Sequence, residues 1–276
     1  MPFTLATWNI NSVRLREGLV ARLMADEGPD VLCLQECKSP VDKIPVEQFQ
    51  ALGYSHMVAR GQKGYNGVAI LSKLPLEDAG GEDFAALGHA RHVAARLPNG
   101  VVIHNCYVPA GGDIPDRTEN EKFGQKLDFL TQMRDHFHAG KPQKAILVGD
   151  LNIAPREDDV WSHKALLKIV SHTPVEVEHL AQTQDAGKWV DVTRQDSIDA
   201  GFAEAIGKLG KLDILVNNAA LFTAAPIAEI TRADFVINHG SVGSGLDAVG
   251  VSRNPVVEYQ RLDRQLGSGR RGHREG

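Results

Sequence analysis

Five polar side chains stand at or just beyond the ends of short apolar runs. Asn9 follows residues 3–8, Glu36 follows 30–35, Tyr107 closes the stretch that begins at His92, and Asp150 and Asn152 follow 145–149. Proteins built on sheets gather function at strand ends, where a side chain leaves the ladder on a rigid support. Taken singly, each has a structural explanation: Asn9 can cap a turn, Glu36 can be solvated, Tyr107 can be core, and Asp150-Leu151-Asn152 can open a loop. Taken together, they form a set of carboxylates and amides without a histidine ligand. Such a set suits a hard, oxygen-loving cation such as magnesium rather than zinc. Magnesium with carboxylates points to phosphate chemistry.

The elements that must position these residues are legible up to about Thr193, where short apolar strands alternate with amphipathic helices bounded by turn residues, the pattern of an α/β or α+β enzyme. Strands are expected at 3–8, 30–35, 67–72 and 145–149. A helix between the first two places Leu15, Leu19 and Leu23 on one face and stops before Gly28-Pro29. Residues 92–107 read as a hairpin turned at Pro98-Asn99-Gly100. A long helix over about 118–138 carries Phe123, Leu127, Leu130, Met133 and Phe137 at the spacing of a helix packed on a sheet.

With 276 residues, of which 42% are hydrophobic and 24% charged, the chain can bury one large core or two ordinary ones. Its formal charge of -5 lies wholly in residues 1–191, and no apolar run reaches the ~18 residues of a membrane helix. The first residues lack a secretion leader, so a cytoplasmic location is expected. Cys33, Cys37 and Cys106 read as apolar core thiols in a reducing compartment. Beyond about Phe235 periodicity fades, and five arginines in the last sixteen residues make a basic tail, either solvated or helping to hold a polyanion.

Five blocks carry a family resemblance: Thr7-Trp8-Asn9-Ile10-Asn11-Ser12-Val13-Arg14, Leu34-Gln35-Glu36-Cys37-Lys38, Gly61-Gln62-Lys63-Gly64-Tyr65-Asn66-Gly67-Val68-Ala69, Asn105-Cys106-Tyr107-Val108-Pro109-Ala110-Gly111, and Val148-Gly149-Asp150-Leu151-Asn152-Ile153-Ala154-Pro155. In this order they resemble the exonuclease III family of abasic-site endonucleases, from Met1 to about Arg194. The resemblance implies a four-layer sandwich of two mixed β-sheets flanked by helices. It also implies a magnesium-dependent phosphodiesterase, manganese being the other possible ion, that acts on double-stranded DNA at abasic sites and 3' ends in base-excision repair. Glu36 would bind the metal with Asn9 beside it. Asp150 would orient and deprotonate the attacking water, and Asn152 and Tyr107 would hold the phosphate and its developing charge. Arg14, Lys38, Lys63 and Arg91 lie in or near the matching loops as contacts to DNA phosphates, and Tyr65 and Asn66 resemble residues pressed toward the groove. No membrane partner is expected, and nothing indicates a protein partner.

The pattern breaks in the last third. The family closes with a Ser-Asp-His motif whose Asp and His complete the active site, and this chain has none. Arg261-Leu262-Asp263 is a three-residue echo, and neither His239 nor His273 follows an Asp. Residues 191–235, including Gly210-Lys211-Leu212-Asp213-Ile214-Leu215-Val216-Asn217-Asn218-Ala219-Ala220, resemble the middle of a short-chain dehydrogenase. They lack that family's Gly-rich cofactor turn and its Tyr-x-x-x-Lys pair. The expected organisation is a truncated nuclease domain over 1–194, a Rossmann-like fragment over 195–235 and a flexible basic segment over 236–276, as in a chimera with reduced activity. A catalytically impaired DNA-binding remnant is the alternative, and an NAD(P)-dependent oxidoreductase a more distant one.

Overall fold

The computed structural model describes residues 3–189. The expectations placed on 195–235 and 236–276 lie outside the described residues.

Two four-stranded mixed sheets face one another. In the first, β1 (Leu5–Asn9) runs parallel to β2 (Val31–Gln35), which pairs antiparallel with β4 (Val68–Ser72), itself antiparallel to β3 (His56–Arg60). In the second, β5 (Glu77–Gly80), β6 (His92–Arg96) and β7 (Val102–Tyr107) are antiparallel in sequence order, and β7 runs parallel to β8 (Ala145–Asp150).

The central strands β2 and β4 of the first sheet are buried on both faces because both are covered. Leu5, Val31, Cys33, Val68 and Ile70 point between the sheets, where they meet Val93, Ala95, Ile103, Ile146 and Val148. Their neighbours Ala6, Trp8, Leu32, Leu34, Ala69 and Leu71 point outward, against α1 (Glu17–Asp26) and α2 (Val46–Ala51). The outer face of the second sheet packs on α3 (Glu121–Gly140) through Cys106, Phe129, Leu130, Met133 and Phe137. A further helix, α5 (Pro174–Gly187), lies against α3 and follows the single turn α4 (His163–Leu166). The helix, sheet, sheet, helix layering is the expected sandwich.

The anticipated hairpin turns through the hydrogen bonds Gly100 N to Leu97 O and Leu97 N to Val101 O. Asn120 caps α3 by accepting the Lys122 N–H. The first helix departs from expectation. It begins only at Glu17, its buried residues are Val20 and Met24, and Leu15, expected inward, is 82% exposed in the preceding loop. Leu19 and Leu23 are half-buried flanks of that face. The three cysteines are free, buried thiols. Among the described residues, no helix is long and apolar enough to cross a membrane.

Candidate active site at the strand ends

The strand register brings the site together. In the parallel pair β7–β8, Tyr107 stands opposite Asp150, and in the parallel pair β1–β2, Asn9 stands opposite Gln35, one residue before Glu36. Both pairs therefore finish at the same end of the sandwich. Gly149 makes the second ending possible: its φ is +136°, and a Cβ built there would lie 1.8 Å from the Cys106 carbonyl oxygen, so only glycine lets β8 deliver Asp150 beside Tyr107. A buried polar bridge ties the sheets just behind this end. Gln35 Nε2 donates to Asn105 Oδ1 at 2.6 Å, and Asn105 Nδ2 donates to the Leu34 and Ala69 carbonyls at 3.0 Å each.

Four of the five anticipated residues share one hydrogen-bonded cluster. Asn9 Nδ2 donates to Glu36 Oε1 at 2.9 Å and to Asp150 Oδ2 at 2.8 Å, spanning the two carboxylates. The Tyr107 hydroxyl donates to Glu36 Oε1 at 2.8 Å, and Lys38 Nζ pairs with Glu36 Oε2 at 2.8 Å. Asn152 joins through its backbone, whose N–H donates to Asp150 Oδ1 at 3.0 Å, while its Nδ2 is held by the Val108 carbonyl at 2.8 Å.

The two carboxylates are pushed in opposite directions. Burial raises the Asp150 carboxyl above its ordinary value, and this outweighs the hydrogen bonds from Asn9 and the Asn152 N–H. Burial also acts on Glu36, but hydrogen bonds from Lys38, Asn9 and Tyr107, together with the Lys38 charge, hold it below its ordinary value. Such a split favours the Glu36 anion and makes Asp150 the stronger base of the two. Burial, reinforced by the Glu36 charge, raises the Tyr107 hydroxyl, so it remains a donor near neutrality.

The loops around this cluster are strained in a shared way. Asn11, Ser12, Glu36, Lys38, Asn66 and Asn152 all have φ between +47° and +85°. Asparagine tolerates this conformation, but Glu36 and Lys38 adopt it because neighbouring backbone holds them. Ser12 N donates to Glu36 O, Val13 N to Cys37 O, Cys37 N to Gly67 O and Lys38 N to Asn66 O. These bonds lace the loops carrying Arg14, Lys38, Lys63 and Tyr65 into one rim. Arg14, Lys63 and Tyr65 are exposed there, Tyr65 by 58%.

Two anticipated rim residues are placed otherwise. Asn66 is 5% exposed and donates to Gln62 Oε1 at 2.8 Å, so it holds its loop together instead of projecting from it. Arg91 lies over the Tyr107 ring, 4.6 Å from its centroid, and donates to the Tyr107 carbonyl at 3.2 Å. Its buried Nε has no hydrogen-bond partner, and burial lowers its pKa.

Lys126 and Glu176 were missed by sequence reasoning. Both are fully buried and ion-paired, and Lys126 Nζ also donates to the Asn152 carbonyl at 2.7 Å. The signal was present: Lys126 sits within the apolar face of α3 between Phe123 and Leu130, and Thr173-Pro174-Val175-Glu176 spells a capping box.

The donor set fits a hard cation. Glu36 and Asp150 offer carboxylate oxygens without histidine or cysteine, and the Asn9 NH2 group lies between them where positive charge is favoured, while its Oδ1 accepts from the Asn11 N–H at 3.2 Å. Two carboxylates suit an ion that keeps much of its water and completes its shell with phosphate.

Comparison with known proteins agrees with this geometry. The Endonuclease/Exonuclease/phosphatase family matches residues 6–271, a stretch that runs across 191–235 and lends no support to a dehydrogenase fragment there. Exodeoxyribonuclease III of Haemophilus influenzae is 29% identical over 168 residues, covering 56% of this chain and 59% of that protein. DNA repair nuclease APEX1 of Danio rerio is 31% identical over 209 residues, covering 72% and 64%. The chain thus spans about six tenths of the length of these relatives. Among solved structures, an AP endonuclease from Archaeoglobus fulgidus superposes with a TM-score of 0.61 at 32% identity, covering 66% of this chain and 70% of that one. The 3'-5' exonuclease NExo from Neisseria meningitidis superposes with a TM-score of 0.58 at 32% identity, covering 66% and 71%. Two mixed sheets, a carboxylate and amide cluster at their shared end, and a match across nearly the whole sequence lead to one conclusion: the chain belongs to the endonuclease/exonuclease/phosphatase family.

Proposed function

We propose that this protein is a metal-dependent phosphodiesterase acting on double-stranded DNA, incising beside abasic sites and removing 3' terminal nucleotides or blocks in base-excision repair. The observation that carries the reading is the cluster in which Asn9 spans Glu36 and Asp150 at the common end of both sheets. A related nuclease, NExo from Neisseria, has been solved with a product DNA hairpin, which supports a DNA substrate for this chain as well.

Glu36, with Asn9 beside it, would hold magnesium, or manganese in its place. When bound, the ion supplies Lewis acidity at a phosphate oxygen. Asp150, raised by burial and oriented by Asn9 and the Asn152 N–H, takes a proton from the attacking water as the water oxygen bonds to phosphorus and the bond from phosphorus to the 3' oxygen breaks, the departing oxygen taking its proton from solvent. Tyr107 and Asn152 donate to the phosphate as charge builds on it, and the raised Tyr107 hydroxyl keeps its proton for that purpose. Arg91 backs the Tyr107 ring, while Arg14, Lys38, Lys63 and Tyr65 on the laced rim meet the DNA backbone and groove. Asn66 contributes by shaping the Tyr65 loop.

The test is cleavage of end-labelled duplexes, one carrying a single abasic site and one intact, with magnesium and with EDTA. Magnesium-dependent incision at the abasic site, with slower loss of 3' nucleotides from the intact duplex, is expected. Salt-sensitive binding to both duplexes without cleavage would replace this reading with that of an impaired DNA-binding remnant.

A further inference from the structure

We infer that the buried Lys126–Glu176 pair is a positioning device for Asp150 and Asn152, setting the geometry of the strand-end site from the helix layer behind it. This inference rests on the reading that those two residues serve the reaction.

Lys126 projects from α3 and Glu176 from the first turn of α5, and neither side chain has any exposure. The three protons of the ammonium are all used, on Glu176 Oε1, on the Asn152 carbonyl at 2.7 Å and on the Ala110 carbonyl at 3.3 Å. Glu176 is equally engaged. It accepts from Ser171 N on both oxygens, at 3.0 and 2.9 Å, and Oε2 also accepts from Thr173 N at 3.2 Å and Thr173 Oγ1 at 2.6 Å. One ion pair thus fastens three segments to the helices: the loop after β7, the loop after β8 and the turn entering α5.

A pair buried this completely is an inefficient way to gain stability, because desolvation cancels most of the attraction and apolar residues of similar size often do as well or better. What the pair supplies is position. Asn152 sits at φ +51°, held on one side by its N–H on Asp150 Oδ1 and on the other by its carbonyl on Lys126. Its Nδ2 is fixed on Val108 O, in the loop whose Ala110 carbonyl also meets Lys126. Loss of the Lys126 contact frees one of the two peptides that define the Asn152 conformation, and with it the orientation of the Asp150 carboxylate. Displacements of about 1 Å in a reacting group are enough to cost about a hundredfold in rate.

The experiment compares the wild type with Lys126→Met and with the double variant Lys126→Met/Glu176→Gln, which leaves no unpaired buried charge. Thermal unfolding, kcat and KM on the abasic duplex, and amide hydrogen exchange over residues 150–154 are measured. The expected result is a folded double variant melting near the wild type, with kcat down about tenfold to a hundredfold, KM within about twofold, and exchange faster at 150–154 but not along α3. Wild-type kcat in the folded double variant, a loss carried by KM alone, or unchanged exchange at 150–154 overturns the inference. A double variant that does not fold also overturns it, by showing the pair to be structural. Failure of the proposed activity itself would appear separately, as absence of cleavage by the wild type, and the exchange measurement decides the positioning role in that case.

Discussion

Two buried polar clusters of opposite character meet the second sheet, one at the strand ends it shares with the first sheet and one on its outer face. At the strand ends, Asn9 donates to both Glu36 and Asp150, and Tyr107 and Lys38 add donors to Glu36 alone, beside loops whose backbone is held at positive φ. On the outer face, His92 and His104 stack with ring centroids 5.3 Å apart, on regular strands and under Phe84, His136 and Phe137. His92 Nδ1 accepts from Glu82 N, so its proton is on Nε2 and is donated to His104 Nδ1 at 3.1 Å, an arrangement that requires both rings to be neutral. The comparison separates two uses of buried polarity. The first cluster concentrates charge, strain and opposed pKa shifts where a ligand can reach it; the second removes charge and packs the imidazoles as aromatic core.

The sharpest way to break the first cluster is upstream of it. Gly149→Ala sets a methyl against the Cys106 carbonyl, and the expected outcome is loss of folding, read as absence of a cooperative thermal transition. A variant that melts as the wild type does would show that β8 approaches β7 less closely than described.

Tyr107→Phe removes a hydroxyl whose single proton rests on Glu36 and, in the proposed mechanism, turns to the phosphate. A fall in kcat of about a hundredfold, with Tm changed by only a few degrees, is expected from kinetics and melting on the same preparation.

The histidine cluster responds to pH in stability. Burial, with a lesser contribution from His136, lowers His104 from an ordinary 6.5 to about 4, and burial with the neighbouring His104 lowers His92 well below 6.5. Above pH 6.5 these rings are neutral in both folded and unfolded chains, and their contribution is complete. Below it the unfolded chain takes up protons that the folded one refuses, so stability declines from about pH 6.5 down to about 4. The expected loss for His104 is about 3 kcal/mol, visible as a falling Tm across that interval and flatter in His104→Gln.

The smallest effect is expected at the exposed Arg22–Asp26 pair on α1. Replacing Asp26 with Asn should change stability by no more than about 0.5 kcal/mol in urea unfolding, because an exposed pair one helical turn apart is screened by water and salt.

How much of this was legible in the sequence follows from the range of each signal. Asn9, Glu36, Tyr107 and Asp150 were visible as polar residues ending apolar runs, and the 92–107 hairpin as two runs around Pro98-Asn99-Gly100, because these are local patterns. That Tyr107 meets Asp150 and that Asn9 reaches across to both carboxylates depends on register between strands far apart in sequence. Spacing does not encode that, and the family resemblance implies only that these residues share one site, with Asn9 beside Glu36. Strand β5 was invisible because Glu77-Asp78-Ala79-Gly80 is a polar edge without alternation. Leu15 falls outside the first helix although Leu15, Leu19 and Leu23 follow one another at four-residue spacing, because Ser12 and Val13 bonding to the Glu36–Cys37 backbone sets the shape of its loop. Asn66 appeared in the sequence as a groove contact, yet positive φ and the bond to Gln62 turn its side chain into the loop. Lys126 was hidden because a lysine within a helical apolar face announces burial only once its partner, fifty residues away on another helix, is known.

Whether the carboxylate cluster at the strand ends hydrolyses a DNA backbone is decided by comparing wild type with Asp150→Asn on a labelled abasic duplex in magnesium. Affinity for the duplex and Tm are recorded for both proteins. Incision by the wild type is expected, with a rate lower by about a hundredfold to ten-thousandfold in the variant and with binding and melting retained. Equal incision by the two proteins, or none by a folded wild type that still binds the duplex, would contradict hydrolysis by this cluster.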